Sequence, residues 1–440
     1  MLSRTGYIID GDSETKKELT VRAIVNDDFG FPPPPFKVFK NAKKGICVPR
    51  YYAENKFGKP KIDNRPEPEK RNINFVGKLR DETSQNEALK CALEVGHGII
   101  SLPCGYGKTT VSLAISSKLG YKTMIIVHKE FLANQWRERI NQFCPGATIG
   151  IVQQNKKEMN NDFVIAMLQT LSMKEHSFED FDSIGTVIVD EAHHICAKVF
   201  SQSLFKMCPR HIFGLSATPI RKDGLTKVME WFMGSICFSI QRENQDDVEV
   251  FTIPFECDRF KDPPPCTKFG KLSLATMITE ITEIHERNCL LINTIKDASK
   301  GTRRVLILTD RRSHCEHLHG KFSNSGIYMG GMKETELNES SKKKIIFATF
   351  SQAHEGLDIP ELDTVILASP KSDIIQSIGR IMRETKGKRN NPRIYDFNDK
   401  WSAFNAMFYK RLSIYKKSGF KIMNNLNEDE DVFPRGKCLM

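Results

Sequence analysis

Residues 99–115 constrain this chain most, because they read as an apolar strand, a glycine-containing loop and the first turns of a helix. Gly105 and Gly107 would let the backbone turn tightly and would leave room for a phosphate group. The amide groups at the start of the following helix would point at that phosphate, and the helix dipole favours negative charge there. The loop residues that would surround a nucleotide are Pro103, Cys104, Gly105, Tyr106, Gly107, Lys108, Thr109 and Thr110.

Two residues of this loop would carry the chemistry. Lys108 would contact the β- and γ-phosphates, and the hydroxyl group of Thr109 would hold Mg²⁺. The pattern G-x-x-x-x-G-K-[ST] is incomplete, because Leu102 occupies the position of its first glycine. Two interpretations are open at this point: a nucleotide-binding loop, and a turn between strand and helix whose lysine is simply solvated.

The composition favours an anionic partner and a reducing compartment. The chain has 440 residues and a formal net charge of +11, which favours nucleic acid, although a basic surface without a particular partner is the alternative. The 12 cysteines form no C-x-x-C pattern, so we expect an intracellular address, nucleus or cytoplasm, and no zinc or iron–sulfur site. We also expect no membrane association, because no apolar run reaches membrane-spanning length and the start lacks a signal sequence.

The composition of the sequence and its pattern of predicted strands and helices divide the chain into four segments. Residues 1–75, with their proline run and basic stretch, read as a small accessory, nucleic-acid-binding domain with a linker. Apolar strands and amphipathic helices alternate in residues 76–240 and again in residues 290–440, which predicts two α/β lobes with parallel sheets. Residues 241–289 would connect the lobes. The predicted strands are residues 98–102, 123–127, 162–166, 186–189, 211–215, 248–255, 304–308, 344–348, 364–368 and 392–396.

A second strong pattern is Thr-Val-Ile-Val-Asp-Glu-Ala-His at residues 186–193. A buried strand would deliver Asp190 and Glu191 at its carboxyl end, where open α/β sheets bind ligands. One carboxylate can hold Mg²⁺ through water, and its neighbour can orient and deprotonate an attacking water. The alternative is a solvated carboxylate pair that caps a helix. The presence of Lys108 upstream, and of a Ser-Ala-Thr turn after the next predicted strand, favours phosphoryl transfer.

With its later motifs, the chain resembles superfamily-2 nucleic-acid helicases of the branch typified by XPB, over about residues 79–400. The matching segments are Pro-Cys-Gly-Tyr-Gly-Lys-Thr-Thr, Asp-Glu-Ala-His-His, Leu-Ser-Ala-Thr-Pro-Ile-Arg-Lys-Asp-Gly-Leu, Glu-Gly-Leu-Asp-Ile-Pro and Gln-Ser-Ile-Gly-Arg-Ile-Met-Arg. The segment Ile-Cys-Val-Pro-Arg-Tyr-Tyr at residues 46–52 also resembles helicases of large DNA viruses, including the poxvirus transcript-release type. A viral origin would place the protein in a host cell or a virion.

The resemblance implies two RecA-like lobes in tandem, ATP and Mg²⁺ as cofactors, and movement along DNA in the 3′-to-5′ direction with strand separation. RNA or an RNA–DNA hybrid as substrate, transcript release and a non-catalytic nucleic-acid-binding scaffold stay open. The partners would be the transcription or the replication and repair machinery. The Arg-Lys-Asp at residues 221–223 departs from the Arg-Glu-Asp of the XPB branch.

The resemblance also assigns roles to individual residues. Lys108 and Thr109 would hold phosphate and Mg²⁺, Asp190 would hold the metal through water, and Glu191 would be the catalytic base. Ser216, Thr218 and His193 would couple hydrolysis to lobe movement. Gln85 would read adenine, although the family's neighbouring aromatic residue is missing.

Further roles fall in the second lobe and on the nucleic-acid track. Gly356 and Asp358 would lie near the nucleotide, and Gln376, Arg380 and Arg383 would form the motif that supplies arginine fingers. The residues that would contact nucleic acid are His128, Lys129, Gln135, Gln169, Thr170, Arg221, Thr309, Arg311 and Thr349.

Overall fold

A computed structural model describes residues 1–24, 33–103, 105–193, 198–221, 223–240, 247–268, 270–355, 357, 359–379 and 390–423. Of Phe200, Glu334, His354, Glu355, Ile375 and Gln376 it describes the backbone alone. The chain divides into two compact units, Met1–Gln241 and Arg242–Met440. None of the helices in the described ranges has a stretch long and apolar enough to cross a membrane.

The N-terminal residues form two small antiparallel sheets. Their elements are β1 (Leu2–Ser3), β2 (Gly6–Ile9), α1 (Ser13–Glu18), β3 (Thr20–Val21), β4 (Phe36–Lys37), β5 (Lys40–Asn41), β6 (Ile46–Val48) and α2 (Arg50–Phe57). The strand orders are β1-β2-β6-β5 and β3-β4. Tyr51 of α2 stacks on His97 with ring centroids 4.1 Å apart, and Tyr52 meets Trp231 edge-on at 5.4 Å. The small domain predicted for residues 1–75 therefore lies within the first compact unit.

The remainder of the first unit is a central sheet with helices on both faces. Its elements are α3 (Gln85–Val95), β7 (His97–Ser101), α4 (Lys108–Leu119), β8 (Thr123–Val127), α5 (Glu130–Phe143), β9 (Ile149–Gln153), β10 (Lys156–Lys157), β11 (Phe163–Met167), α6 (Leu168–Met173), β12 (Thr186–Val189), α7 (Lys198–Ser201), β13 (His211–Ser216), α8 (Thr226–Met233) and β14 (Ile236–Ser239). The strand order is β10-β9-β11-β8-β12-β13-β7-β14, and all neighbours are parallel except β10 and β9.

This sheet is buried on both faces. Met124 and Ile126 of β8 contribute to one apolar cluster, and Ile125 and Val127 contribute to another. Successive residues of a strand face opposite sides of its sheet, so a strand covered on both sides reads as a continuous apolar run. The carboxyl ends of β7, β13, β12 and β8 lie side by side at one edge of the sheet, which is where open parallel sheets bind ligands.

The second unit is also built on a parallel sheet. Its elements are β15 (Glu249–Phe255), α9 (Leu274–Glu283), α10 (His285–Ala298), β16 (Val305–Thr309), α11 (Arg312–His319), β17 (Ser325–Tyr328), α12 (Glu334–Ser341), β18 (Ile345–Thr349), α13 (Phe350–Glu355), β19 (Thr364–Leu367), α14 (Ile375–Gly379), β20 (Arg393–Asp399), α15 (Ala403–Lys417) and β21 (Lys421–Met423). The strand order is β17-β18-β16-β19-β20-β15-β21.

The predicted α/β class with two parallel sheets in tandem is confirmed, and it is the arrangement expected of RecA-like lobes. All ten predicted strands exist and begin within one residue of the prediction. Strand β15 lies in the segment 241–289 that the sequence assigned to a connection, yet it pairs in parallel with β20 and β21. That segment therefore supplies part of the second sheet.

Candidate nucleotide-binding and catalytic site

The glycine loop adopts the backbone conformation that its glycines permit. Gly105 has φ +86° and Gly107 has φ +77°, both in the left-handed region. A Cβ atom on residue 107 would lie 2.5 Å from Nε2 of Gln85, so a larger residue would be strained and crowded. Helix α4 begins at the next residue and runs for 12 residues, so its first amide groups and its dipole face the end of this loop.

Gln85 holds the loop through its carboxamide group. The side chain is only 2% exposed; Nε2 donates to the carbonyl of Tyr106 at 2.9 Å, and Oε1 accepts from the amide of Arg80 at 3.0 Å. The guanidinium of Arg80 adds a hydrogen bond of 3.1 Å to the carbonyl of Gly105. Both ends of the Gln85 amide are thus engaged with the backbone.

Lys108 opens helix α4 and turns back over the loop. Its Nζ donates to the carbonyl of Leu102 at 3.1 Å, the residue that replaces the first glycine of the sequence pattern. Thr109 and Thr110 follow in the first turn of α4 and are half-buried. The carbonyl oxygen of Pro103 accepts a hydrogen bond of 3.2 Å from the amide of Tyr106, which closes the turn. Cys104 lies outside the described residues.

Asp190 follows β12 directly and is held at both carboxylate oxygens. Oδ2 accepts from the indole Nε1 of Trp136 at 2.9 Å, and Oδ1 accepts from the amide of Glu191 at 3.0 Å. Burial, and then the neighbouring Glu191 carboxylate, raise the pKa of Asp190. The Trp136 hydrogen bond and the positive charge of Lys108 act in the opposite direction.

Glu191 has a strained backbone and a poorly satisfied carboxylate. Its φ of +47° lies in the left-handed region, which is uncommon for a residue other than glycine and recurs at functional sites. Oε2 is buried, lies 3.5 Å from Nδ1 of His193, and accepts no hydrogen bond from the described residues. A buried carboxylate oxygen of this kind is suited to receive a hydrogen bond from a water molecule.

These groups fit a magnesium–nucleotide complex. Mg²⁺ prefers oxygen ligands and is commonly bound by one or two carboxylates together with substrate phosphates. The Thr109 hydroxyl and the Asp190 carboxylate provide such oxygens, and Lys108 provides the charge that complements a triphosphate. The described residues contain no group of three or more histidine, cysteine or acidic side chains that could hold a metal alone.

The loop after β13 is joined to the carboxylate segment. Ser216 is buried, and its Oγ accepts from the amide of Thr218 at 3.1 Å. Arg221 donates from Nη1 to the carbonyl of His193 at 2.6 Å, and from Nε to Asp223 at 2.9 Å. The guanidinium that the sequence assigned to nucleic acid therefore makes bonds within the protein.

The predicted nucleic-acid residues of the first unit cluster at the ends of β8 and β11. His128 is buried, and its carbonyl accepts from Nε2 of Gln169 at 2.7 Å, which ties the two strand ends together. The hydroxyl of Thr170 accepts from the amide of Gln154 at 3.0 Å. Lys129, whose pKa burial lowers, precedes α5, and Gln135 lies half-buried on that helix.

Comparison with known proteins assigns the family. A family model described as "Type III restriction enzyme, res subunit" matches residues 78–221. The "Putative ATP-dependent RNA helicase L396" of Acanthamoeba polyphaga mimivirus is 31% identical over 412 residues, which are 87% of this chain and 78% of the viral protein. This chain belongs to the helicase family. The predicted nucleic-acid-dependent ATPase is thereby confirmed.

A second viral relative agrees with this assignment. The "Putative helicase 161L" of Invertebrate iridescent virus 6 is 29% identical over 417 residues, which are 89% of each chain. The predicted resemblance to helicases of large DNA viruses is confirmed by these relatives, whereas the XPB branch stays a prediction. The crystal structure of T4 UvsW was also compared with this chain. The alignment covers 96% of this chain and 99% of the UvsW chain, with 17% sequence identity and a TM-score of 0.36.

In the second unit of this helicase, the predicted nucleic-acid residues make internal contacts. Thr309 is fully buried, and its hydroxyl lies 3.0 Å from Nδ1 of His314 and 3.1 Å from Oγ of Ser369. Arg311 donates to the carbonyl of Ala275 at 2.6 Å, and Thr349 is buried. The Thr309 hydroxyl thus has no direct access to a phosphate in this conformation.

Several predicted residues have no described side chain. Gly356, Asp358, Arg380 and Arg383 lie outside the described residues, and of Gln376 only the backbone in α14 is described. The roles that the resemblance assigns to them stay predictions.

Sequence reasoning placed Trp136 at the end of a predicted nucleic-acid segment, residues 127–136, and did not identify it as a partner of Asp190. Trp136 lies on the face of α5 that also carries Ala133 and Ile140, and all three are buried. Only the structure shows that its N–H reaches Asp190, 54 positions away. The available signal was a tryptophan on an apolar helix face, because a buried indole N–H usually finds an acceptor.

Proposed function

We propose that this helicase hydrolyses ATP with Mg²⁺ in the site formed by residues 103–110, Asp190 and Glu191, and uses the free energy to move along DNA and separate its strands. One observation carries the proposal. The glycine loop follows β7 and the carboxylate pair follows β12, with only β13 between them. Neighbouring strands lie about 4.8 Å apart, so the two loops are within reach of one triphosphate.

Each residue would have a defined part in the reaction. Lys108 would release the Leu102 carbonyl and contact the phosphates, while Thr109 and Asp190 would hold Mg²⁺, which neutralises the charge of the phosphates when it is bound. Glu191 would take a hydrogen bond from the attacking water at Oε2 and accept its proton. The strained backbone of Glu191 supports this assignment, because strain at a non-glycine residue is retained where the surroundings fix a functional geometry.

The substrate is proposed to be DNA, with movement in the 3′-to-5′ direction. The net charge of +11 supports a nucleic acid of either kind, and the resemblance of the segment Ala-Thr-Pro-Ile-Arg-Lys-Asp-Gly to the DNA-directed branch supports DNA. RNA is the second candidate, because the mimivirus relative is named as an RNA helicase. A phosphate-release assay with single-stranded DNA, RNA and an RNA–DNA hybrid would separate them, since the true substrate should stimulate turnover most strongly.

From the same family resemblance, we propose that Arg380 and Arg383 neutralise the charge on the γ-phosphate during its transfer. It also supports an address inside an infected cell or a virion. The nine cysteines that the structure describes all carry free thiols, in keeping with a reducing compartment.

The decisive test is Glu191→Gln, with Glu138→Gln as the matched control on the exposed side of α5. The Glu191 variant should bind ATP with Mg²⁺ normally and lose turnover by about 100-fold or more, because general-base catalysis contributes about 10²- to 10⁴-fold. The Glu138 variant should behave like the parent. Full turnover in Glu191→Gln would refute the proposed catalytic site.

A further inference from the structure

Trp136 connects the hydrophobic core of the first unit to the proposed metal ligand. Its side chain is 2% exposed and packs in the apolar cluster that contains Ala133 and Ile140. From within that cluster, Nε1 donates to Oδ2 of Asp190 at 2.9 Å. The indole ring is therefore part of the hydrophobic core. Its single polar atom, Nε1, reaches the edge of the sheet where the nucleotide would bind.

We infer that Trp136 is a positioning residue for Mg²⁺: its indole N–H fixes the orientation in which Asp190 presents its carboxylate to the metal. This inference rests on the proposed function. Because Trp136 would touch neither substrate nor metal, it would act only through Asp190. Neither the family model nor the names of the relatives assign a role to this residue.

The geometry explains how the carboxylate would be fixed. The Glu191 amide binds Oδ1 at 3.0 Å while Trp136 binds Oδ2, so rotation of the Asp190 carboxylate would break at least one hydrogen bond. A carboxylate has about four acceptor positions, and these two bonds leave the others available for metal-bound water. The remaining acceptor directions are consequently set by the protein before Mg²⁺ arrives.

The element that carries the indole is suited to this purpose. Helix α5 has 14 residues and packs against the sheet through Ala133, Trp136 and Ile140. A long, flat side chain with two rotatable bonds spans from this helix to the end of β12 and loses little conformational freedom. Outer partners of this kind change metal affinity or activity by about 10- to 100-fold when they are removed.

The test compares Trp136→Phe with Ile140→Ala in the full chain. The first variant removes the N–H group but keeps an aromatic ring in the core, and the second removes apolar packing from the same helix face. Mg²⁺ is titrated while binding of a fluorescent ATP analogue and ATP turnover are measured separately. We expect the Mg²⁺ concentration for half-saturation of both signals to rise about 10- to 100-fold in Trp136→Phe and to stay near the parent value in Ile140→Ala.

Each outcome decides between the two proposals. Equal shifts in both variants, or no shift in Trp136→Phe, would overturn the positioning role. Loss of turnover in Glu191→Gln alongside an unchanged Trp136→Phe would leave the proposed function intact and remove only this inference. Retained turnover in Glu191→Gln would instead remove the proposed function itself.

A second measurement keeps Trp136 in place, in case the Phe variant does not fold. The chain has three tryptophans, so protein labelled with 5-fluorotryptophan gives three fluorine resonances that Trp231→Phe and Trp401→Phe assign. Mg²⁺ with a non-hydrolysable ATP analogue should shift the Trp136 resonance, and the shift should vanish in Asp190→Ala. A Trp136 resonance that is unchanged by the complex would contradict the inference.

Discussion

Arg221 donates a hydrogen bond of 2.6 Å from Nη1 to the backbone carbonyl of His193, 28 positions earlier in the chain. The same guanidinium binds Asp223, whose carboxylate also accepts from the amide of Leu225 at 3.2 Å. One side chain therefore joins the loop after β13 to the segment that carries Glu191. A change in the position of either loop on hydrolysis would be transmitted to the other through this contact.

Arg221→Lys should separate hydrolysis from strand separation. Lysine keeps the positive charge, but an ammonium lacks the planar fork that binds Asp223 and the His193 carbonyl at once. Hydrogen bonds to charged groups contribute about 1.5–3 kcal/mol, so we expect strand separation per ATP to fall by about tenfold or more, with basal ATP turnover within about twofold. Turnover and unwinding would be measured on the same forked substrate.

The matched control for this prediction is Arg210→Lys. Arg210 forms ion pairs with Asp63 at 3.0 Å and Glu67 at 2.6 Å, and it precedes β13 instead of following it. Its replacement should leave the ratio of unwinding to turnover unchanged. A proportional loss of both activities in Arg221→Lys would show that the contact supports the site and not its coupling.

Gly107→Ala should impair nucleotide binding, and Gly146→Ala should not. Both glycines have positive φ, +77° and +86°, so both substitutions place alanine in the left-handed region at a cost of about 1–2 kcal/mol. Only at residue 107 would the new Cβ approach another group closely, since it would lie 2.5 Å from Nε2 of Gln85. At residue 146, no described atom other than those of the residue and its two chain neighbours lies within 4 Å. Calorimetric titration with ATP and Mg²⁺ should show at least about tenfold weaker binding for Gly107→Ala alone, the equivalent of about 1.4 kcal/mol.

Gln85→Ala distinguishes a residue that holds the loop from one that reads the base. Because the Gln85 carboxamide binds the Tyr106 carbonyl and the Arg80 amide, its removal should loosen the glycine loop for any nucleotide. We expect kcat/KM to fall by about 5- to 30-fold for ATP and GTP alike, from the loss of about 1–2 kcal/mol of buried hydrogen bonding. A loss confined to ATP would instead favour the adenine contact that the sequence predicted.

The sequence predicted those parts of the fold that have a local signal. The run Thr-Val-Ile-Val of β12 is buried throughout, and three of its four residues are consecutive aliphatic residues because both faces of the strand are covered. Strands β9 and β14 were not predicted: Gly150 interrupts the apolar residues of β9, and β14 is a half-exposed edge strand whose register shifts between Ile236 and Phe238. A glycine within the run, or partial exposure at a sheet edge, weakens the apolar pattern by which a strand is identified.

Site residues were also predicted only where the sequence carries a local signal. Lys108, Asp190 and Glu191 belong to contiguous motifs, so the sequence alone could propose them. The indole partner of Asp190 is 54 positions away. Two of the partners of Arg311, which are Ala275 and Thr279, lie in the segment that the sequence assigned to a connection. Long-range hydrogen bonds depend on tertiary packing, which no local pattern records.

His314 should make the second unit less stable in acid. Its ring is buried; Nδ1 lies 3.0 Å from the Thr309 hydroxyl and Nε2 lies 3.0 Å from Oδ1 of Asn288. Burial, with the charges of Arg287 and His317, lowers the pKa of His314 from 6.5 to about 3. The folded state therefore binds fewer protons than the unfolded state between about pH 6.5 and pH 3, so stability is complete above pH 6.5 and is lost as the pH falls.

If the unfolded state binds one proton more than the folded state, the free energy of unfolding falls by about 1.4 kcal/mol per pH unit. Between pH 6.5 and pH 5 the loss is about 2 kcal/mol. Hydrogen exchange of peptides that cover β16 and α11, corrected for the intrinsic effect of pH, would measure this loss as a lower free energy of opening. His314→Gln should flatten the pH dependence, whereas His317→Gln, at an exposed position of the same helix, should largely retain it. An equally steep pH dependence in His314→Gln would show that other groups in the second unit take up the protons.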